Sequence, residues 1–134
     1  MQLFQKSFQQ LAAYEGLTRA MAAQENPVSL TGVSQIHKAN LLAALCSSQK
    51  PILTVTADEA EARRLCDDIN TMLEETAAWI FPAKELVLTP VEGISFGFEH
   101  ARIAAVTALF CGTCKVICAS AEALLQPTLS MEEL

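Results

Sequence analysis

Two runs of apolar and β-branched residues, Pro51-Ile52-Leu53-Thr54-Val55-Thr56 and Val116-Ile117-Cys118-Ala119, lack the strict polar alternation of a half-solvated strand. Such runs belong to parallel strands covered on both faces, and parallel strands need helical crossovers between them. The chain supplies those crossovers. Asp58, with Glu61 three residues later, forms a capping box, and Ala62, Leu65, Cys66, Ile69, Met72 and Leu73 make an apolar stripe opposite Glu61, Arg64, Asp68 and Glu75. Trp79-Ile80-Phe81 is a short strand stopped by Pro82, Leu86-Val87-Leu88 is a candidate for another, and 89–98 is a loop. Ile103, Val106 and Phe110 mark a helix over 99–111 that Gly112 ends, and Ser120 caps a further short helix. Strands alternating with helices predict an α/β fold, a parallel sheet with helices on both faces.

Ahead of this core, Phe4, Phe8, Leu11 and Ala12 recur at helical spacing, Gly16 weakens or ends that helix, and Asn26-Pro27 stops the segment. Val28 to Gly32 reads as a short strand running into a glycine turn. Ser34 then caps a helix over 35–46 that is apolar almost all round through Ala39, Leu41, Leu42, Ala43 and Leu45, and so is buried on more than one side. The organisation is a helical segment over 1–26, an α/β domain over 27–125, and a linker or cut point over 126–134, where Pro127 and two adjacent glutamates lie.

Composition narrows the function. The chain has 134 residues, 51% of them hydrophobic, and a formal net charge of -6. Fifteen acids against nine bases argue against a direct grip on nucleic acid, which needs clustered Lys and Arg. No apolar run approaches the roughly 20 residues that span a bilayer, and glutamines interrupt the N-terminal hydrophobics. A cytoplasmic protein without a membrane partner is expected. Of the five cysteines, Cys46, Cys66 and Cys118 read as small core residues of a reducing compartment, with no disulfides.

Two motifs invite chemistry. Gly32-Val33-Ser34-Gln35-Ile36-His37-Lys38-Ala39 occupies the strand-to-helix turn where a phosphate loop has Gly, four residues, Gly, Lys and Ser or Thr. Gly32 and Lys38 are in register with it. His37 replaces the second glycine and Ala39 the metal-binding hydroxyl, so the expected state is a degenerate, non-binding loop. The competing reading is a nucleotide-binding domain that keeps a weak phosphate site at Gly32 and Lys38. Cys111, Cys114 and Cys118 are spaced C-x₂-C-x₃-C, but no fourth ligand is close in sequence, and His100 is eleven residues upstream. Packing is the leading reading there, against a metal site or a reactive Cys111/Cys114 pair. Asp67-Asp68 reads as solvated charge, and no catalytic role falls to His37 or His100. No catalytic residue and no metal site are assigned.

With these residues laid out, the chain resembles the N-terminal, UvrB-like module of the bacterial transcription-repair coupling factors, the Mfd family. The pattern covers 27–129: VSLTGVSQIHKANLLAAL at the phosphate-loop position, KPILTVTADEAEARRLCDDI, FPAKELVL followed by TPVEG, FEHARIAAVTAL, and VICASAEALLQPTL. TADEAEARRL and ASAEALLQP, in that order, are the segments most specific to the family.

The resemblance implies a P-loop NTPase-like core, similar to the first domain of the excision-repair protein UvrB, with a degenerate phosphate loop at Gly32, His37, Lys38 and Ala39. UvrB keeps the full loop and also carries a tyrosine-rich hairpin that engages DNA. Here the one tyrosine, Tyr14, is far from that place, and the corresponding loop offers Phe96 and Phe98. The implied function is a non-catalytic scaffold that supports recruitment of UvrA in transcription-coupled nucleotide excision repair. ATP and Mg²⁺, the DNA translocase, and contacts with RNA polymerase and DNA belong to other domains of the family's full-length chain; this chain itself is expected to need no cofactor. In the family a small domain carrying most of the UvrA contact is inserted soon after the strand matching 116–119, so a chain ending at Leu134 is expected to be a fragment, the first half of the module's core.

Overall fold

The fold was obtained as a computed structural model, which describes residues 10–46, 50–84 and 97–128. Along these residues run α1 (Ala12–Ala22), α2 (Gln35–Leu45), β1 (Ile52–Thr56), α3 (Glu59–Leu73), β2 (Ala78–Phe81), α4 (Gly97–Phe110), β3 (Val116–Ser120) and α5 (Ala121–Leu125). The strands form a three-stranded sheet in the order β1-β3-β2, parallel throughout, with Ile52 and Ala78 both in register with Val116. The expected α/β class, with helices on both faces of a parallel sheet, is present in this small form.

Each face has its own core. On the first, Leu65, Cys66 and Ile69 of α3 and Ala39 of α2 close over Ala78, Val116 and Cys118. Ile69 is fully buried, which contributes about 2 kcal/mol by the area removed from water. On the second face, Ala105 of α4 and Ala123 of α5 pack on Ala119 and Phe81, with Trp79 and Ile117 at the margin. The three alanines are fully buried, and their small side chains let the helices lie close to the strands.

The ends of the elements follow capping chemistry. Asp58 accepts a hydrogen bond from the Glu61 N–H at 2.7 Å, opening α3 as the capping box predicts. Ser120 accepts from the Ala123 N–H at 3.2 Å and opens α5. Gly112 adopts φ +71°, with bonds from its N–H to the Leu109 carbonyl and from the Thr113 N–H to the Ala108 carbonyl. This is the paired closure that a left-handed residue permits. Gly16 does not end α1, which continues to Ala22. The helix stops instead at Gln24, whose φ of 57° supports the same paired closure onto Met21 and Ala20. The Asn26–Pro27 peptide bond that follows is cis.

Three expectations are corrected. Residues 25–31 form no strand, and Val28 and Leu30 remain 40% and 44% exposed. A four-residue run with Ser29 and Thr31 interleaved buries too little apolar surface to offset the entropy of ordering it. Gly97 and Phe98, expected in a loop, open α4; the Arg102 guanidinium lies 5.3 Å from the Phe98 ring centroid and gives that first turn something to pack on. Most consequentially, β1 is not covered on both faces. Its burial alternates, and Leu53 and Val55 are 56% and 55% exposed. The reason is positional, because β1 is an edge strand and α4 and α5 lie over β2 and β3. The candidate strand at 86–88, and Phe4 and Phe8, lie outside the described residues.

The hydrogen-bond register also fixes which backbone groups face the sheet's edges. The Ile52 N–H bonds the Lys115 carbonyl at 2.9 Å, so Ile52, Thr54 and Thr56 direct their peptide groups to β3, and Leu53 and Val55 direct theirs outward. On the other side the Val116 N–H bonds the Ala77 carbonyl, so Ala78 faces outward from β2. Asn70 of α3 fills that outward position. Its Oδ1 accepts from the Ala78 N–H at 2.7 Å and from the Ala77 N–H at 2.9 Å, and its Nδ2 donates to the Ala78 carbonyl at 2.9 Å.

Candidate functional site

The turn from Gly32 to Ala39 enters α2 beside the carboxyl end of β1, the end at which open α/β sheets hold their ligands. Gly32 has φ +75°, a left-handed turn that favours glycine, and a Cβ added there meets nothing within 4 Å. Ser34 stands at the N-cap with extended backbone, but its hydroxyl makes no capping bond to the helix. It pairs with His37 Nδ1 at 3.0 Å.

Lys38 reaches across to α3. Its Nζ lies 3.2 Å from Glu61 Oε1, and Gln35 Nε2 donates to the same oxygen at 3.3 Å. The Lys38 hydrogen bond, then that of Gln35, holds the Glu61 carboxyl below its ordinary pKa. The one cation in phosphate-loop register is thereby engaged by a carboxylate. Ala39, in the place of the metal-binding hydroxyl, is fully buried in the apolar core of the first face. Between the 30–33 segment and β1 lies an open cleft of about 440 Å³, lined by Leu30, Val33, Leu41, Val55 and Leu65 with Lys38 and Glu61 among its polar groups. The lining is mainly aliphatic, and its cation already has an anion beside it, so the cleft is poorly matched to a phosphate.

The cysteine motif does not converge. Cys111 is exposed after α4, Cys114 is buried with its thiol donating to the Val116 carbonyl at 3.3 Å, and Cys118 is buried within β3. Among the described residues no group of three or more His, Cys, Asp or Glu side chains is placed to hold a metal ion. Cys46, Cys66 and Cys118 belong to the core of the first face, as their apolar sequence setting predicts, and all five cysteines are free thiols. Burial pushes the Cys46 thiol up to about 11. A hydrogen bond to Cys118, with burial, raises Cys66 further. Cys46 and Cys66 are therefore protonated packing thiols at neutral pH, while the same hydrogen bond from Cys66 lowers Cys118. Asp67 and His100 are exposed and Asp68 half-exposed. No described helix is long and apolar enough to cross a membrane.

The most elaborate polar site is one that sequence reasoning passes over. Arg102 of α4 is buried, and its guanidinium donates to the carbonyls of Pro82 at 2.8 Å and of Ala123 and Gln126 at 3.1 Å each, and to the Thr128 hydroxyl. It also lies 3.9 Å from the Phe81 ring centroid. Desolvation lowers its pKa. The side chain of Gln126 completes the corner, accepting from the Lys84 N–H at 2.6 Å and donating to the Lys84 carbonyl. Residues 126–128, read from sequence as the start of a linker, are thus pinned to the end of β2. The available signal was a lone arginine inside the apolar helix sequence Ala101-Arg102-Ile103-Ala104-Ala105.

Comparison with known proteins adds no relative: the chain matches no protein-family model, no curated protein and no solved structure.

Proposed function

We propose that this chain is a non-catalytic scaffold: the UvrB-like, P-loop-derived α/β module of a transcription-repair coupling factor, supporting UvrA recruitment in nucleotide excision repair. The sequence pattern over 27–129 supports the family reading. The observation that carries the non-catalytic part is the engagement of Lys38 by Glu61 at 3.2 Å, next to a fully buried Ala39 where a metal-binding hydroxyl would stand. A phosphate entering here has to displace a carboxylate from the only lysine in register, without a Mg²⁺ ligand at position 39. The fold is kept, and the chemistry of the loop is lost.

The test has two arms. Calorimetric titration of the chain with ATP and Mg²⁺ is expected to show no binding heat at millimolar nucleotide; saturable binding removed by Lys38→Ala overturns the non-catalytic reading in favour of a surviving phosphate site. Purified UvrA is then passed over the immobilised 134-residue chain and over a chain continued beyond Leu134. Retention by either supports recruitment, and retention by neither sinks it.

A further inference from the structure

Two thiols from different elements meet in the core of the first face. Cys66 of α3 and Cys118 of β3 pack in one cluster with Ile69 and Val116, both buried and Cys118 fully so. A hydrogen bond joins the two thiols. Cys66 Sγ also accepts from Asn70 Nδ2 at 3.8 Å, the same carboxamide that bonds Ala77 and Ala78. Cys118 lies on the middle strand, in register with Thr54 on one side and Ile80 on the other. The remaining cysteines are placed differently. Cys111 is exposed, Cys114 donates to the Val116 carbonyl, and Cys46 ends α2.

We propose that Cys66 and Cys118 are a reversible redox pair, which hydrogen peroxide converts to a disulfide tying α3 to β3 and which a small thiol returns to the free form. Such a bond needs two sulfurs already side by side, and the packing of α3 on the sheet supplies that.

Cys118 is the sulfur that attacks first. The hydrogen bond from Cys66, helped by the Thr54 hydroxyl and opposed by burial, favours its thiolate, whereas the same bond keeps Cys66 protonated. The Cys118 sulfur attacks one peroxide oxygen, the O–O bond breaks, and the departing hydroxide takes up a proton as water, leaving a sulfenic acid. Cys66 sulfur then attacks Cys118 sulfur. The S–O bond breaks, and the leaving hydroxide takes the Cys66 proton as a second water. Two thiols and one peroxide thus become one disulfide and two waters. Reduction reverses this by thiol exchange, two small thiols leaving as their own disulfide.

Burial selects the oxidant. Cys118 is out of reach of bulky reagents, which meet the exposed Cys111 instead. The bond has consequences beyond the two residues, because α3 also carries Glu61, which engages Lys38, and Asn70, which holds the start of β2. One covalent link to the middle strand fixes both.

Peroxide treatment of the folded Cys111→Ser chain, followed by thiol blocking, digestion and mass spectrometry, tests this. The expected product is a peptide containing Cys66 joined to one containing Cys118, lost again on treatment with dithiothreitol. The oxidised chain is expected to melt about 5 °C or more above the reduced one, as closure of the long loop from 66 to 118 predicts. In denaturing urea the same treatment is expected to give mixed pairings, since the folded core is what selects this one. Recovery of Cys66 and Cys118 as free thiols while methionines are oxidised overturns the proposal. Linkage to Cys46 or Cys114 in equal yield from the folded chain overturns it, as does an oxidised form that melts below the reduced one.

Discussion

The two edges of the sheet have the same problem and treat it differently. At β2 the outward groups of Ala78 are taken up by the carboxamide of Asn70, which presents an acceptor and a donor much as a neighbouring strand would. The far end of that strand is tied down by Glu59, whose Oε2 accepts from the Ala83 N–H at 2.8 Å, and by Arg102 on the Pro82 carbonyl. At β1, among the described residues, no side chain bonds the outward groups of Leu53 and Val55, and both side chains are more than half exposed. Open edges pair with other chains unless something blocks them. Among the described residues, side chains take up the outward groups at the start of β2, and no side chain bonds the outward groups of β1.

The contrast is broken most severely at the β2 corner. Arg102→Ala leaves the carbonyls of Pro82, Ala123 and Gln126 without their charged donor and opens a void beside Phe81; the expected loss is about 3 kcal/mol in urea denaturation. Arg102→Lys is expected to recover only part of this, because an ammonium cannot span acceptors arranged for a planar fork. A loss below about 1 kcal/mol for Arg102→Ala would mean the corner does not hold β2 in place.

Asn70→Ala comes next, at about 2 kcal/mol, since it strips partners from Ala77 and Ala78 at once. It also carries a second readout. If Asn70 blocks the β2 edge, the alanine variant exchanges its Ala78 amide faster and self-associates more strongly than the parent chain. Unchanged exchange at Ala78 would show that the plug is not what protects that edge.

At β1 the expected effect is smaller, and it separates the sequence from the structure. An aspartate at position 53 unfolds a strand covered on both faces, because it buries a carboxylate without a partner. In this structure Leu53 is more than half exposed, so Leu53→Asp is expected to cost less than about 1 kcal/mol, the scale of a strand-propensity change. Global unfolding of that variant would restore two-sided cover over β1.

Why sequence failed there, and succeeded elsewhere, is a matter of range. The capping box at Asp58, the stripe from Ala62 to Leu73 and the glycine stop at Gly112 are decided within a few residues, and all three were legible. Cover over Leu53 depends on which strand becomes the edge, and the order β1-β3-β2 comes from packing between segments some sixty residues apart, as in Thr54 against Cys118. The register and the substitutions of the phosphate loop were also readable. The partner of Lys38 was not, because Glu61 comes from another helix and is brought near by the packing of α2 on α3. Asn70 and Arg102 act on backbone groups, which carry no residue identity, so no spacing rule points to them.

The smallest expected effect belongs to Lys38 itself. Its pair with Glu61 is solvent-accessible, with the lysine side chain 47% exposed, so Lys38→Ala is expected to cost about 0.5 kcal/mol or less at neutral pH. The pH dependence is the sharper measurement. Because the Glu61 carboxyl is held below 4.5 when folded, its contribution is present above the ordinary carboxylate range and is lost as pH falls through the lowered value. Removing Lys38 takes away the largest cause of that lowering and leaves Gln35, so the variant's stability is expected to fall less between neutral and acid pH than the parent's. Parallel acid limbs for the two proteins would mean that Lys38 is not engaged by Glu61 in solution, and the strongest physical objection to a phosphate in this loop would go with it.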